Sequence, residues 1–300
     1  MKRFVLPIAC LLGLTFTAAR AADAPKLRVI LLSGLNHHKW QETTPEIVAT
    51  LNASGRFTVT EVVPPNPSDQ NASLAFHLDL TTTDVIVNNW TDYPVKLAAD
   101  QKNVFPWMDE VVNYVRNGGG YVGLHAASFE HHPEFLRLAG LHWRDANAGD
   151  RISVDDTGKI VRTPKGEGPR AGHGKKFEWQ VTTRQPQHPI MAGLPAVWPH
   201  VIDELWHGTR GPAEQMEVLA TAFSPVTKAN EPMFWTVGFG KGRVFMDLLG
   251  HDGLAMRCVG FRTVLARGTE WAATGKVTLA VPADFPKDQP VSVTAAPARR

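Results

Sequence analysis

The chain has 300 residues, 43% of them apolar, enough for one large core or two small ones. Its 31 basic and 29 acidic residues leave a net charge of +2. That balance gives no footing for a nucleic-acid partner or for any partner held by bulk charge.

The N-terminus reads as a secretory signal peptide over residues 1–21. Lys2 and Arg3 supply the positive start, Phe4 to Phe16 the apolar run, and Ala19-Arg20-Ala21 a small-x-small cleavage site. The mature chain is therefore expected to begin near Ala22 and to be exported, to the periplasm or outside the cell. The run is too short to span a bilayer, and no second run of about 18 apolar residues follows, so no transmembrane segment is expected in the mature chain. Removing the leader takes Cys10 with it. Cys258 is then alone in an apolar stretch, which predicts a buried small hydrophobe and no internal disulfide.

Lys26 to Ser33 (KLRVILLS) is a continuous apolar run of the kind covered on both faces of a sheet. Thr44-Pro45 reads as an N-cap with proline at the first helical position, opening a helix that ends near Gly55. Phe57 to Val63 and Asp84 to Asn88 are further strands. Asp100 to Asn117 has helical periodicity and closes at Gly118, and Tyr121 to Leu124 is a fourth strand. From about Arg144 to Lys176 the pattern weakens into a polar, Gly- and Lys-rich insertion with a short strand near Arg151 to Val154. Phe177 to Val181, Val218 to Ala222, Met233 to Gly238 and Arg243 to Leu249 read as strands, the last two joined by a Gly240-Lys241-Gly242 hairpin turn. Phe261 to Ala272 is a final helix. After about Lys276 the chain loses periodicity.

Strands alternating with helices predict βαβ units and an α/β fold: a doubly wound, mostly parallel sheet flanked by helices, with a C-terminal β-hairpin. We expect one such domain over residues 22–275, followed by a tail over 276–300. Ligands of these sheets bind outside the carboxyl ends of the strands. Histidines and carboxylates cluster at those ends: His37 and His38 after the first strand, His125 after the fourth, Glu204 and His207 in DELWHG, and His251 with Asp252 after the last strand. Imidazole and carboxylate suit zinc or manganese, and they also suit acid–base work near neutral pH. Asn36, Asn89 and the aromatic residues Trp40, Trp90 and Trp206 lie in or beside the same segments, as do Trp143 and Trp235. Tryptophan packs on sugar rings, although most tryptophans serve the core. His131, His132 and His142 are expected to cap or flank a helix; His77, His188 and His200 are expected at turns or on the surface. The chain has no GxSxG elbow and no HExxH pair, and its Gly118-Gly119-Gly120 precedes a strand where a dinucleotide loop would follow one. No nucleotide cofactor is expected.

Five segments together resemble the ThuA-like (trehalose utilisation) family: SGLNHHKWQETTP, GGGYVGLHAAS, HPIMAGLP, DELWHG and GKGRVFMDLLGHD, in that order between Lys26 and Thr274. The resemblance implies a fold like the class I glutamine amidotransferases, which are flavodoxin-like in layout, with His125 near the turn that carries their cysteine. It also implies a link to trehalose, related disaccharides and their 3-keto derivatives, and a divalent metal at the histidine-rich rim. His37 or His38, His125, Glu204 and His251 match the family's polar positions. Trp206 departs from it, standing where relatives carry tyrosine.

The expectation that follows is an exported enzyme, a hydrolase or isomerase acting on a small carbohydrate: a glycoside, a trehalose-like disaccharide or a 3-keto-sugar. It is not expected to be a working glutamine amidotransferase. His125 and Glu204 are the expected catalytic groups. His37, His38, His125 and His251 are the candidate ligands of zinc or manganese, and Asn36, Trp40, Asn89, Trp90, Trp206 and Asp252 the substrate contacts. The alternative is a non-catalytic carbohydrate-binding protein using the same cleft.

Overall fold

The computed structural model describes residues 25–93, 95–125, 127–286 and 294. The leader and its cleavage site lie outside them. The first half of the chain is βαβ: β1 (Leu27–Leu32), α1 (Trp40–Ala53), β2 (Phe57–Val62), α2 (Gln70–Ala75), β3 (Val85–Asn88), α3 (Pro106–Arg116), β4 (Gly120–Leu124) and α4 (Pro133–Ala139). The insertion carries β5 (Arg151–Val154), β6 (Ile160–Thr163) and β7 (Gly172–His173). Then come β8 (Phe177–Thr183), β9 (Val197–Asp203), β10 (Trp206–His207), β11 (Met216–Ser224), β12 (Ala229–Phe239), β13 (Gly242–Asp247), α5 (Gly253–Met256) and α6 (Val259–Thr274).

One mixed sheet organises these elements, in the order β2-β1-β3-β4-β13-β12-β11-β8-β9. Neighbours from β2 to β13 pair in parallel, and those from β13 to β9 pair antiparallel. This is the doubly wound α/β class expected from the βαβ spacing, extended by an antiparallel wing. Phe239 pairs with Gly242 across the expected hairpin turn. Two apolar clusters cover the two faces of the sheet. Ile47 and Leu51 of α1 and Phe261, Val264 and Leu265 of α6 lie on one face; Trp107, Met108 and Val111 of α3 and Phe135 and Leu138 of α4 lie on the other. Among the described residues no helix is long and apolar enough to cross a membrane.

Two helix starts differ from expectation, for opposite reasons. Helix α1 begins at Trp40, because the Glu42 and Thr43 amides already donate to the Lys39 carbonyl. Thr44 is no cap: its hydroxyl bonds Ser33 Oγ at 2.6 Å and accepts from Asn89 Nδ2, tying α1 to the ends of β1 and β3. Helix α3 begins late, at Pro106, because the residue before a proline is driven out of the helical region, and Phe105 is extended at φ −121°, ψ 154°. Strand β9 went unread, since Pro199 interrupts its pattern.

Close packing of α6 on the sheet depends on missing side chains. A Cβ at Gly268 would lie 2.2 Å from the Phe245 ring, and one at Gly120 would lie 2.5 Å from the Ala272 carbonyl. Gly268→Ala improves helix propensity but drives the helix off β13. We expect a net loss of about 1–3 kcal/mol in urea unfolding, where an exposed helical glycine would show a gain.

Candidate functional site

Four segments converge on one cleft at the carboxyl ends of the parallel strands. The first is the loop after β1. There Asn36 Oδ1 accepts the His38 amide at 2.9 Å, and Asn36 Nδ2 donates to the Asn89 carbonyl at 2.7 Å. The second is the turn after β4, where His125 sits at φ +40°, a left-handed conformation that a side chain bearing a Cβ rarely adopts. Bonds from the His125 amide to the Asp247 carbonyl and from the Ala127 amide to the Leu124 carbonyl, both 2.7 Å, hold this elbow. The other two are the turn after β9, carrying Glu204, and the turn after β13, carrying His251.

Glu204 is the hub. Its Oε1 lies 3.1 Å from His251 Nε2 and 3.6 Å from His173 Nε2, and its Oε2 lies 3.6 Å from His125 Nε2. The His38 ring is centred 4.7 Å from that of His125 and 4.5 Å from that of His251. His125 Nδ1 donates to the Leu248 carbonyl at 2.8 Å, which turns Nε2 toward Glu204. Burial opposes the charge on Glu204, but the contacts with His125 and His251 outweigh it and hold the carboxyl well below the usual range. Burial, with the neighbouring imidazoles of His125 and His251, pushes His38 down to about 2, so that ring is neutral. His251 is the opposite case: Asp252 and then Glu204 raise it to about 9 against the effect of burial.

Three of these groups fit a metal. His38 Nε2, His125 Nε2 and Glu204 Oε2 are buried and have no hydrogen-bond partner among the described residues, and the ligand atoms of this trio lie within 4.8 Å of one another. Orphaned buried polar atoms are costly, and two neutral imidazoles with one carboxylate form a donor set for zinc or a similar ion. The candidate ligand set therefore differs from that expected from sequence. His37 is exposed and packs edge-on against Tyr93. His251 has both nitrogens engaged, by Glu204 and by Asp252 and Lys176, so it clamps Glu204 where a ligand was expected. A second trio, Asp92, Glu130 and His131, also brings ligand atoms within 4.8 Å, but Asp92 Oδ1 there accepts the Glu130 amide.

The cleft encloses about 850 Å³ of empty space, part of it open solvent. Trp206 lines it, as does Trp143, whose ring is centred 4.8 Å from that of Trp206. The other expected substrate contacts lie elsewhere. Trp90 is fully buried against Trp107 and Phe129, and Trp235 is likewise in the core. Trp40 opens α1 and stays outside the cleft lining. Asn36 and Asn89 are spent on each other and on Thr43 and Thr44, so they position the His38 loop. Asp252 caps α5 and pairs with Lys176 at 2.7 Å.

Two contributors escaped the sequence reading. His173 reaches Glu204 because the insertion's β7 pairs with β10, bringing Gly172 opposite His207. Its signal was a lone histidine between glycines, AGHGKK, inside a stretch without periodicity. Asp203 lies wholly buried beneath the site. One of its oxygens accepts the Glu204 and His251 amides, and the other accepts the Gly250 amide and pairs with His200 Nε2 at 2.9 Å. His200, expected at a turn or on the surface, is fully buried on β9, whereas His132 does cap α4 as expected and Cys258 is buried.

The ThuA family model, described as trehalose utilisation, matches residues 28–272. The chain belongs to the ThuA family. A solved relative agrees, and two more distant structures match as well. A ThuA-like protein from Parabacteroides merdae ATCC 43184 is 34% identical, with a TM-score of 0.81 over 90% of this chain and 98% of that one. A ThuA-like protein from Bacteroides uniformis ATCC 8492 is 18% identical, with a TM-score of 0.55 over 87% and 97%. A glutamine amidotransferase from Thermotoga maritima matches at 11% identity and a TM-score of 0.39, over 75% and 76%. No curated protein matches the chain. The family description ties this ThuA chain to carbohydrate use, and His38, His125, Glu204 and His251 all fall inside the matched span.

Proposed function

We propose that this ThuA protein is an exported enzyme acting on a small carbohydrate, a glycoside, trehalose-like disaccharide or 3-keto-sugar, at a site that holds a divalent metal on His38, His125 and Glu204. The observation that carries this reading is the trio of buried, unpartnered ligand atoms at the base of a cleft lined by tryptophan. Zinc or manganese bound there would polarise a sugar oxygen or a water.

The chain's own groups do the rest. Glu204 is ionised and would give Oε2 to the ion, or take a proton there where no ion is bound, while His251 holds Oε1 and keeps the carboxylate from turning. His125 would likewise bind the ion through Nε2, or exchange a proton there in its absence, with the ring oriented by the Leu248 carbonyl. On a 3-keto-sugar the proton to be moved is the one on carbon next to the carbonyl; on a glycoside it is that of the attacking water. Trp143 and Trp206 offer aromatic faces to the sugar ring.

The test is a screen of the purified protein against trehalose, other disaccharides and their 3-keto forms, with and without Zn²⁺ or Mn²⁺. We expect turnover that needs the cation and is lost on chelation. Saturable sugar binding with no turnover of any substrate would favour the carbohydrate-binding alternative. Turnover indifferent to chelation would remove the metal.

A further inference from the structure

An arginine stands on the wall of the cleft beside its two tryptophans. Arg144 follows Trp143 in the chain, and both line the cleft. The Trp143 ring is centred 4.8 Å from that of Trp206, which is in turn centred 4.8 Å from that of His125. Arg144 is held at both ends. Its carbonyl accepts the Ala171 amide at 3.0 Å, and its Nη1 donates to the Gly211 carbonyl at 2.8 Å. A side chain tethered in this way is oriented before any ligand arrives.

The protein does not answer the charge of this side chain. A guanidinium has five N–H donors, and Arg144 gives one of them to Gly211. Among the described residues no carboxylate forms an ion pair with it; Glu130, on the same cleft, attracts it only from a distance. Burial works against the cation and pulls it below the ordinary arginine range. Its field reaches His142, which burial and then the Arg144 charge push down to about 3, leaving that ring neutral. A half-buried cation without a counter-ion is unfavourable, and a ligand that brings a carboxylate relieves it. A planar carboxylate also matches the guanidinium fork through two parallel hydrogen bonds. Burial pushes the Glu130 carboxyl up, which eases its protonation when a second anion enters. Tyr93, Ser128 and Thr209 line the same cleft and offer hydroxyls, so a polyol body finds partners as well as its acid group does.

We propose that Arg144 selects an acidic sugar, so that the substrates carry a uronate-type carboxylate that forks onto its guanidinium while the sugar ring lies along Trp143 and Trp206. The inference names a substrate class for the site proposed above and rests on that reading for the sugar alone.

The test is calorimetric titration of the purified protein with methyl glucuronide, methyl glucoside, methyl glucoside phosphorylated on its primary hydroxyl, and cyclohexanecarboxylate. Methyl glucuronide is expected to bind at least about tenfold tighter than methyl glucoside, the effect of one charge-assisted fork. Arg144→Gln, which can still donate to the Gly211 carbonyl, should bring the two affinities to within about twofold of each other, and Arg144→Lys, which keeps the charge without the fork, should retain only part of the preference. Equal affinity of the wild type for the two glycosides, or a preference that survives in Arg144→Gln, overturns the subsite and leaves the carbohydrate reading standing. A stronger preference for the phosphate that depends on Arg144 overturns the carboxylate as occupant. Cyclohexanecarboxylate binding that Arg144→Gln abolishes, with no binding of any sugar, keeps the carboxylate subsite and removes the carbohydrate reading. No binding of any of these probes overturns both.

Discussion

Glu204→Gln is expected to cost on the order of 100-fold in zinc or manganese affinity, with at least as large a loss of any cation-dependent turnover. Glutamine keeps the shape of the side chain and can still meet His251 through its oxygen. What disappears is the negative charge, which leaves two neutral imidazoles and an amide to hold a dication. The side chain is only one-tenth exposed, so water does little to replace that charge. Competition against a chelator of known affinity measures the loss, and the melting temperature separates it from misfolding. A variant that retains wild-type metal affinity would show that the trio of His38, His125 and Glu204 is not the binding site.

The second large effect is expected beneath the site. Asp203→Ala strips the partner from a buried imidazole and leaves three amides without their acceptor, those of Glu204, Gly250 and His251. Breaking a buried pair in this way typically costs roughly 3–5 kcal/mol. Burial alone would lower His200, but the Asp203 contact overrides it and holds the ring up at about 9. The native state therefore binds a proton that the unfolded chain, with an ordinary histidine near 6.5, gives up. This contribution is complete below about pH 6.5 and is lost as the pH rises through about 9. Urea unfolding at intervals across that window should show stability falling with pH in the wild type and a shallower slope in Asp203→Ala. An unchanged slope would mean that another group carries the pH dependence. Buried Asp247, itself raised well above the usual carboxylate range, starts to disfavour the fold at lower pH and does so in both proteins.

Residues whose role depends on their own segment were legible in the sequence; residues whose role depends on a distant partner were not. The strands around KLRVILLS and DVIVN show because a strand covered on both faces must be apolar throughout. His125 and Glu204 show because strand ends are where this class of sheet keeps its chemistry. The Thr44 hydroxyl looked like a cap because a cap is its commonest local use; its engagement with Ser33 and Asn89 is a tertiary fact. Trp90 and Trp206 could not be told apart by pattern, yet one is core and the other lines the cleft. Asp203 sat unremarked inside DELWHG, since nothing in its neighbours says that its four bonds reach β9 and the turn after β13.

The insertion between β4's half of the chain and β8 is pinned from outside itself. Arg210 reaches the carbonyls of Gly149, Glu167 and Pro169, β5 pairs with β12 and buries the Arg151–Glu231 ion pair, and β7 pairs with β10. His38, His125 and Glu204 all lie outside it, while Trp143 precedes it by one residue and His173 lies within it. Provided Ile152 and Val154 stay apolar and Arg151 keeps its pair, the loops of this segment can be lengthened, shortened or exchanged without disturbing the parallel strands. Diversity of substrate among proteins of this architecture is therefore expected to be written mainly in residues 144–176, and grafting that segment between relatives is a direct way to move preference while leaving the reaction in place.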